Sequence, residues 1–356
     1  MRSYRIAVIP GDGIGVEVVP AAQRVLEVAA RSYGFELVWQ HFDWSCDRYV
    51  RTGRMMPENG LEELRGFDAI FLGAVGAPGV PDHVSLWGLL LPIRRGFQQY
   101  VNLRPARLLR GVQSPLRDRE PGSIDFYVVR ENVEGEYSDI GGRVAAGTDD
   151  ESVTQTAVFT RRGCDRVMRY AFELASLRRS HVTSATKSNG LIHSMPFWDE
   201  RFASVAAEYP GIHADQYHVD ILCAHLVRHP DWFDVIVASN LFGDILSDIG
   251  PAVCGSIGIA PSANLNPERH HPSMFEPVHG SAPDIAGRGI ANPIGQIWSG
   301  AMMLEHLGEH DAANSVERAI ETALADPSAP RTPDLGGNAT TADVAASIAA
   351  CLGNGE

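Results

Sequence analysis

The alternation of short apolar runs with amphipathic stretches is the feature that most restricts the fold of this chain. Residues 4–9 form an apolar run, and the glycine-rich segment 11–15 follows it directly. A helix is predicted next, with Gly34 placed to end it and one apolar stripe made of Val18, Ala22, Val25, Leu26 and Ala29. Further strand-like runs cover 35–42 and 67–72. Strands separated by helices predict a largely parallel sheet with helices on its faces.

The middle of the chain has a different order of predicted elements. β-rich runs at 124–130 and 152–160 flank the glycine-rich segment 135–147, which is predicted to be a projecting loop or hairpin. The later elements are predicted as a helix at 164–177, a strand at 181–186, a helix at 196–209, a loop at 255–293 and a helix at 296–307. We therefore predict a discontinuous large α/β domain (1–100 and 255–356) and a smaller α/β domain (101–254).

Charge and cysteine content exclude several classes of protein. The 44 acidic residues against 30 Lys and Arg give a formal net charge of −14, which argues against a nucleic-acid-binding protein. An anionic substrate would need a local group of arginines or a metal ion. No secretory signal and no membrane span is indicated, so the cytoplasm is the expected compartment. The five scattered cysteines form no Cys-x-x-Cys pair and are expected to be reduced.

Two acids mark a candidate metal site. Asp244 and Asp248 are four residues apart after an apolar run, so on a helix both carboxylates point to the same side while Ile245, Leu246 and Ile249 face packed protein. Oxygen ligands favour Mg²⁺ or Mn²⁺ over zinc. The pair can equally be two solvated charges that the helix dipole stabilises.

The glycine-rich segment 11–15 suggests a dinucleotide-binding turn, because glycines let a phosphate approach the start of a helix. Its spacing does not fit the Rossmann fingerprint, since Val16 stands where the third glycine would be expected. A tight turn without a bound phosphate is the alternative.

Arginines at predicted strand and helix ends form a candidate carboxylate clamp. Arg94, Arg104 and Arg130 stand out in so acidic a chain, and a guanidinium binds a carboxylate through two hydrogen bonds. Each of them could instead neutralise neighbouring acids on the surface.

Three further residues are candidates for chemistry. Lys187 follows an apolar strand, where partial desolvation would suit proton transfer, although such lysines are usually exposed. Tyr137 is a further candidate, although a tyrosine is more often a packing residue whose hydroxyl is satisfied. Asp220 lies among apolar residues as a third metal ligand or a helix cap.

Taken together, these residues resemble the β-decarboxylating dehydrogenases, the family of isocitrate and isopropylmalate dehydrogenases. The resemblance covers nearly the whole chain and rests on six ordered blocks, at 9–15, 102–105, 129–132, 187–190, 240–248 and 276–284. It implies an isopropylmalate-dehydrogenase-like α/β fold, which is not a Rossmann fold.

The resemblance also implies roles for single residues. Tyr137 and Lys187 correspond to the catalytic pair. The arginines that hold the malate carboxylates correspond to Arg94, Arg104 and Arg130. The metal ligands correspond to Asp220, Asp244 and Asp248, with Lys187 and Asp220 supplied by the neighbouring subunit of a homodimer.

The same resemblance implies an NAD-dependent enzyme. The residues of its cofactor loop correspond to His279, Gly280, Ser281, Ala282, Asp284 and Asn292. Asp284 stands where NAD-dependent members carry an acid that accepts hydrogen bonds from the ribose hydroxyls and repels a 2′-phosphate. A K⁺ requirement is expected from the family alone.

The segment 82–94 bears on the substrate. It lacks the acid near Trp87 that isopropylmalate enzymes carry, and it offers Leu89, Leu90 and Leu91 where isocitrate enzymes present polar groups. The blocks 85–88, 98–105 and 297–300 resemble most the tartrate dehydrogenase and D-malate dehydrogenase branch, which oxidises and decarboxylates a D-malate-type 2-hydroxy acid. A 3-isopropylmalate dehydrogenase and a catalytically silent regulatory subunit are the alternatives.

Overall fold

The computed structural model describes residues 1–353 and divides the chain into two compact units. Unit 1 comprises Met1–Gln99, Arg104–Ile124 and Gly250–Glu356, and unit 2 comprises Tyr100–Leu103 and Asp125–Ile249. The segment Arg104–Ile124 therefore belongs to unit 1, whereas the sequence placed it in the smaller domain.

The regular elements follow one another in an α/β order. The strands are β1 (Arg2–Gly11), β2 (Phe35–His41), β3 (Ala69–Ala74), β4 (Val101–Arg107), β5 (Asp125–Glu131), β6 (Gly141–Val144), β7 (Ser152–Gln155), β8 (His181–Thr186), β9 (His213–His218), β10 (Val235–Ala238), β11 (Pro261–Leu265) and β12 (Ser273–Pro277). The α-helices are α1 (Gly15–Tyr33), α2 (Cys46–Thr52), α3 (Gly60–Leu64), α4 (Asp82–Ser85), α5 (Leu91–Gly96), α6 (Arg161–Ser176), α7 (Ser194–Ala206), α8 (Val219–Arg228), α9 (Asn240–Cys254), α10 (Ile294–Leu307), α11 (His310–Ala325) and α12 (Thr341–Gly353). A π-helical turn (Leu86–Leu90) joins α4 to α5.

In unit 1 the strands lie in the order β2, β1, β3, β12, β11. All neighbours are parallel except β11 and β12, which are antiparallel. Helix α1 shows how the sequence produces this packing. Its predicted stripe is fully buried, and Gly34 ends the helix in the left-handed conformation (φ 72°) with its N–H bonded to the carbonyl of Ala30.

In unit 2 the strands β5, β10, β8 and β9 are neighbours in that order, and all pairs are parallel. The strands β6 and β7 form a separate antiparallel hairpin with exposed side chains. The predicted strand at 152–160 is therefore shorter in the structure and ends at Gln155.

The predicted loop at 255–293 is wrong in part, because it contains β11 and β12. Both strands are buried although they are rich in Ser, Asn, Pro and Glu. Hydrogen bonds satisfy these polar groups, as when the amide of Asn264 donates to Glu276 at 2.7 Å. Within residues 1–353, none of the helices combines the length and apolar character that a bilayer crossing demands.

Candidate active site

Helix α9 carries both acids of the candidate metal site in unit 2. The carboxylate of Glu136 anchors its start by accepting hydrogen bonds from the Ser239 hydroxyl at 2.7 Å and the Leu241 N–H at 3.1 Å. Asp244 is partly buried on this helix, and Asp248 is exposed one turn later. The helix face is less packed than predicted, because Ile245 is 46% exposed.

Arg130 lies against α9 and is 2% exposed. Its guanidinium donates two hydrogen bonds to Asn240 Oδ1, at 3.1 and 2.7 Å, and forms an ion pair with Asp244. The close approach depends on Gly243, since a Cβ there would lie 2.6 Å from the Arg130 side chain. The sequence thus places a buried positive charge directly beside the candidate metal ligand.

Tyr137 completes this group. Its hydroxyl donates to Asp244 Oδ2 at 2.8 Å, and the Arg130 guanidinium lies 5.4 Å from the centre of its ring. The structure therefore brings together three residues that the sequence named separately, an arginine, a tyrosine and an aspartate. A carboxylate held by two such donors has a fixed orientation.

Lys187 and Asp220 form a second, separate pair in unit 2. Lys187 follows β8, Asp220 lies in the first turn of α8, and Nζ is 2.7 Å from Oδ1. The hydrogen bond from Lys187 lowers the pKa of the Asp220 carboxyl. Among residues 1–353, the ligand atoms of Asp220, Asp244 and Asp248 do not lie together as one cluster.

The chemistry of these donors fits a hard divalent cation. Asp244 and Asp248 present carboxylate oxygens from adjacent turns of one helix, and Asp220 is 66% exposed in its side chain. Mg²⁺ and Mn²⁺ favour such oxygen ligands with water in the remaining positions.

In unit 1, Arg94 and Arg104 are both buried. The Arg94 guanidinium is 2.7 Å from Glu276 Oε1, which also accepts the hydrogen bond from Asn264. The structure thus gives Arg94 a buried carboxylate of the protein itself as a partner.

The glycine-rich segment 11–15 supports the candidate cofactor loop. The N–H of Ile14 donates to the carbonyl of Ser281 at 2.9 Å. Gly13 has φ of +54°, and a Cβ there would lie 2.1 Å from the same carbonyl oxygen. These glycines therefore permit close packing against 279–284, which explains their presence without a Rossmann phosphate site.

His279 is the most suggestive residue of that loop. It is 8% exposed, burial lowers its pKa, and its Nδ1 lies 3.0 Å from the carbonyl of Gly280. Its other nitrogen, Nε2, is buried without a hydrogen-bond partner among residues 1–353. A neutral imidazole whose second nitrogen has no hydrogen-bond partner can form a hydrogen bond with a polar ligand.

The remaining predicted cofactor residues differ in their surroundings. Asp284 is exposed in the turn after Ala282, which itself adopts a positive φ of 42°. The Asn292 amide donates to Asp334 at 2.9 Å, and its oxygen accepts from the N–H of Ile294 at the start of α10. Asp284 is thus exposed to solvent, whereas the side chain of Asn292 forms hydrogen bonds within the protein.

Sequence reasoning missed two partners in this arrangement. Asn240 orients Arg130, and Glu276 neutralises Arg94. Both stand inside blocks that were already recognised, and Asn240 precedes Asp244 by one helical turn. This four-residue spacing was the sequence signal that could have identified Asn240. No signal in the sequence pointed to Glu276.

The family model described as isocitrate/isopropylmalate dehydrogenase matches residues 5–348. The chain belongs to this family. A crystal structure of isocitrate dehydrogenase from Methylococcus capsulatus is similar with a TM-score of 0.88 and 36% identity, over 98% of this chain and 99% of that one. The predicted fold class is therefore confirmed.

Two relatives are similar over almost their whole length. The chain is 61% identical to D-malate dehydrogenase [decarboxylating] of Escherichia coli (strain K12) over 356 residues, which cover 98% of each protein. It is 58% identical to tartrate dehydrogenase/decarboxylase of Pseudomonas putida over 360 residues, covering 99% of this chain and 98% of the relative. The predicted resemblance is confirmed by these matches.

Proposed function

We propose that the protein is an NAD-dependent dehydrogenase that oxidises and decarboxylates a D-malate-type 2-hydroxy acid with the help of Mg²⁺ or Mn²⁺. The observation that carries the proposal is the hydrogen-bonded group of Arg130, Tyr137 and Asp244, which joins a carboxylate binder, a proton donor and a metal ligand. The names of the two relatives support this activity.

The two bound groups supply the redox and Lewis-acid chemistry. When bound, NAD⁺ would serve as the hydride acceptor, and the divalent ion would serve as a Lewis acid for the oxygen on C2 and for the negative charge left by loss of CO₂. Asp244 and Asp248, with Asp220, would hold the ion.

The protein residues move the protons. Lys187, as the neutral amine, accepts the proton of the C2 hydroxyl, and Asp220, whose Oδ1 lies 2.7 Å from Nζ, orients its side chain. Tyr137 delivers a proton to C3 after decarboxylation. The hydrogen bond from its hydroxyl to Asp244 Oδ2, at 2.8 Å, and the Arg130 guanidinium beside its ring hold Tyr137 in position.

The arginines hold the substrate carboxylates. Arg130 is oriented by Asn240 and so presents a fixed guanidinium, which a dicarboxylate engages at low entropic cost. Arg94 and Arg104 are the other proposed binders, with the charge of Arg94 shared with Glu276.

The cofactor is held by the segment 279–284 together with Asn292. His279 offers the unsatisfied Nε2, and the exposed Asp284 carboxylate favours NAD⁺ by repelling a 2′-phosphate. K⁺ remains an expectation from the family. The cytoplasm remains the predicted compartment, in keeping with five free cysteines.

The active form is a homodimer in which Lys187 and Asp220 of one subunit complete the site of the other. Exposed apolar side chains accompany both parts of the site in unit 2, since Ile221 follows Asp220 and Ile245 follows Asp244, each more than 40% exposed. Apolar groups of this kind favour a protein contact.

Mixed dimers test the shared site. At a Mn²⁺ concentration that just saturates the wild type, Lys187→Ala and Asp244→Asn should each retain little activity, but refolding the two variants together should restore about a quarter of wild-type activity, because half of the dimers then contain one intact site. Mixing Lys187→Ala with Asp220→Asn is the matched control and should restore nothing. Recovery in the control, or none in the first mixture, would contradict the shared site.

Initial rates of NADH formation test the activity itself. D-malate and the tartrates should be oxidised with higher kcat/KM than 3-isopropylmalate or isocitrate. The kcat/KM for NAD⁺ should also be higher than that for NADP⁺. A higher kcat/KM for 3-isopropylmalate would overturn the substrate assignment. No turnover of any of these acids would instead indicate a regulatory subunit.

A further inference from the structure

A polar patch on β8 and β9 has no role in the proposed reaction. These strands are parallel neighbours at one end of the strand order of unit 2, and their register pairs His181 with His213 and Thr183 with Asp215. Because side chains two residues apart on a strand point to the same face, all four side chains share one face. This arrangement cannot be recognised in the sequence, because the residues become neighbours only when the two strands pair.

The ligand atoms of three of these residues are already close together. One nitrogen of each of His181 and His213 and one oxygen of Asp215 lie within 4.8 Å of one another. The distance from His181 Nε2 to Asp215 Oδ1 is 3.1 Å. A tetrahedral ion bound at about 2.1 Å would place its ligand atoms about 3.4 Å apart, so small side-chain rotations suffice to close the site. Within residues 1–353 it is the one cluster of three such groups.

The groups around the patch resemble the outer shell of a metal site. The buried Thr183 hydroxyl donates to Asp215 Oδ1 at 2.7 Å and so orients the carboxylate. The backbone of Trp232 forms a hydrogen bond with His181. Metal-binding histidines and carboxylates are usually held by such partners, which fix the orientation of the ligand.

The local charges also permit a cation. Arg178 and Arg179 precede β8, and both are paired with Asp234, at 2.8 and 3.6 Å. Arg178 also pairs with Asp125, at 3.0 Å, so two carboxylates compensate the two guanidinium charges. Asp215 itself supplies one negative charge to the patch.

The patch is distinct from the proposed active site. His181 and His213 begin β8 and β9, whereas Lys187 and Asp220 follow the other ends of these strands. At a rise of about 3.3 Å per residue, the two places are on the order of 15–20 Å apart.

We propose that His181, His213 and Asp215 form a second metal site, for Zn²⁺ or a similar transition-metal ion, which joins the outer strand β9 to β8. Imidazole nitrogens select such ions over Mg²⁺, which keeps oxygen ligands. Three protein ligands leave one position for water. The proposal does not depend on the identity of the substrate.

Titration of the tag-free full-length protein with Zn²⁺ tests this site. The experiment is done at pH 7.5 with excess Mg²⁺ to occupy the acidic site, and Co²⁺ is used in parallel for its visible absorption. We expect one Zn²⁺ per chain, a higher Tm with Zn²⁺, and a Co²⁺ spectrum typical of nitrogen and oxygen ligands. His213→Gln and Asp215→Asn should each weaken binding at least tenfold.

Two control variants make the result specific. His193→Gln removes an exposed histidine of the same unit that lies outside the cluster, and it should bind Zn²⁺ like the wild type. Asp244→Asn should also retain the site. Unchanged binding in both His213→Gln and Asp215→Asn, or loss of binding only in Asp244→Asn, would overturn the proposal. Equal Tm values without metal establish that the variants are folded.

Discussion

Glu131 at the end of β5 provides a quantitative test of the packing in unit 2. Its side chain is 1% exposed, and it accepts hydrogen bonds from the N–H groups of Val133 and Glu134 at 3.0 and 2.8 Å. Burial raises the pKa of its carboxyl to about 8, against the ordinary 4.5, although the two backbone hydrogen bonds lower it. The folded protein therefore holds a proton here at neutral pH.

This pKa sets the sign of a pH effect. Between pH 4.5 and 8 the folded state keeps the proton while the unfolded state releases it, so the free energy of unfolding falls as the pH rises through this window. At 1.36 kcal/mol per pKa unit, the loss is on the order of 5 kcal/mol above pH 8. Glu131→Gln keeps the accepting oxygen but has no charge to bury, and it should remove this loss.

Thermal unfolding measured at pH 5 and pH 9 gives the assay. The Tm of Glu131→Gln should match that of the wild type at pH 5 and should be higher by roughly 10 °C at pH 9. Glu200 is an exposed glutamate of the same unit, so Glu200→Gln is the control. Its Tm should equal that of the wild type at both pH values. Equal Tm values for Glu131→Gln and wild type at pH 9 would refute the buried protonated carboxyl.

The other expected effects concern catalysis and binding. Lys187→Ala should lower the rate of NADH formation by about 10²–10⁴ while NAD⁺ still binds, as fluorescence titration would report. Asp244→Asn should raise the Mn²⁺ concentration needed for half-maximal rate at least tenfold; an unchanged requirement would remove it as a ligand. Glu276→Gln should cost about 2 kcal/mol in urea unfolding, because Arg94 loses its charged partner but keeps an accepting oxygen. Asp284→Ser should reduce the NAD⁺ over NADP⁺ ratio of kcat/KM, and a constant ratio would count against its role.

The parts of the fold that follow from local chemistry could be predicted from the sequence. Helix α1 has a continuous apolar stripe and a glycine at the position that needs φ above zero, so both its buried face and its end were predictable. The acids of α9 were likewise predictable as a pair, because Asp244 and Asp248 are separated by one turn of the same helix.

The parts that depend on pairing between distant segments could not be predicted in this way. Strands β11 and β12 carry polar residues that are tolerated in the interior only because partners such as Glu276 satisfy them. The patch of His181, His213 and Asp215 arises from the register of two strands. The exposure of Ile245 reflects a face that α9 does not bury within its own chain.

The proposed reaction takes place at Arg130, Tyr137 and Asp244. Its most direct test is the product balance of the purified enzyme with D-malate and NAD⁺, measured with Mn²⁺ and after removal of divalent ions by EDTA. We predict equimolar NADH, pyruvate and CO₂ with Mn²⁺, and none of the three after EDTA treatment until Mn²⁺ is restored. NADH formation that continues without a divalent ion, or NADH without CO₂, would contradict the account.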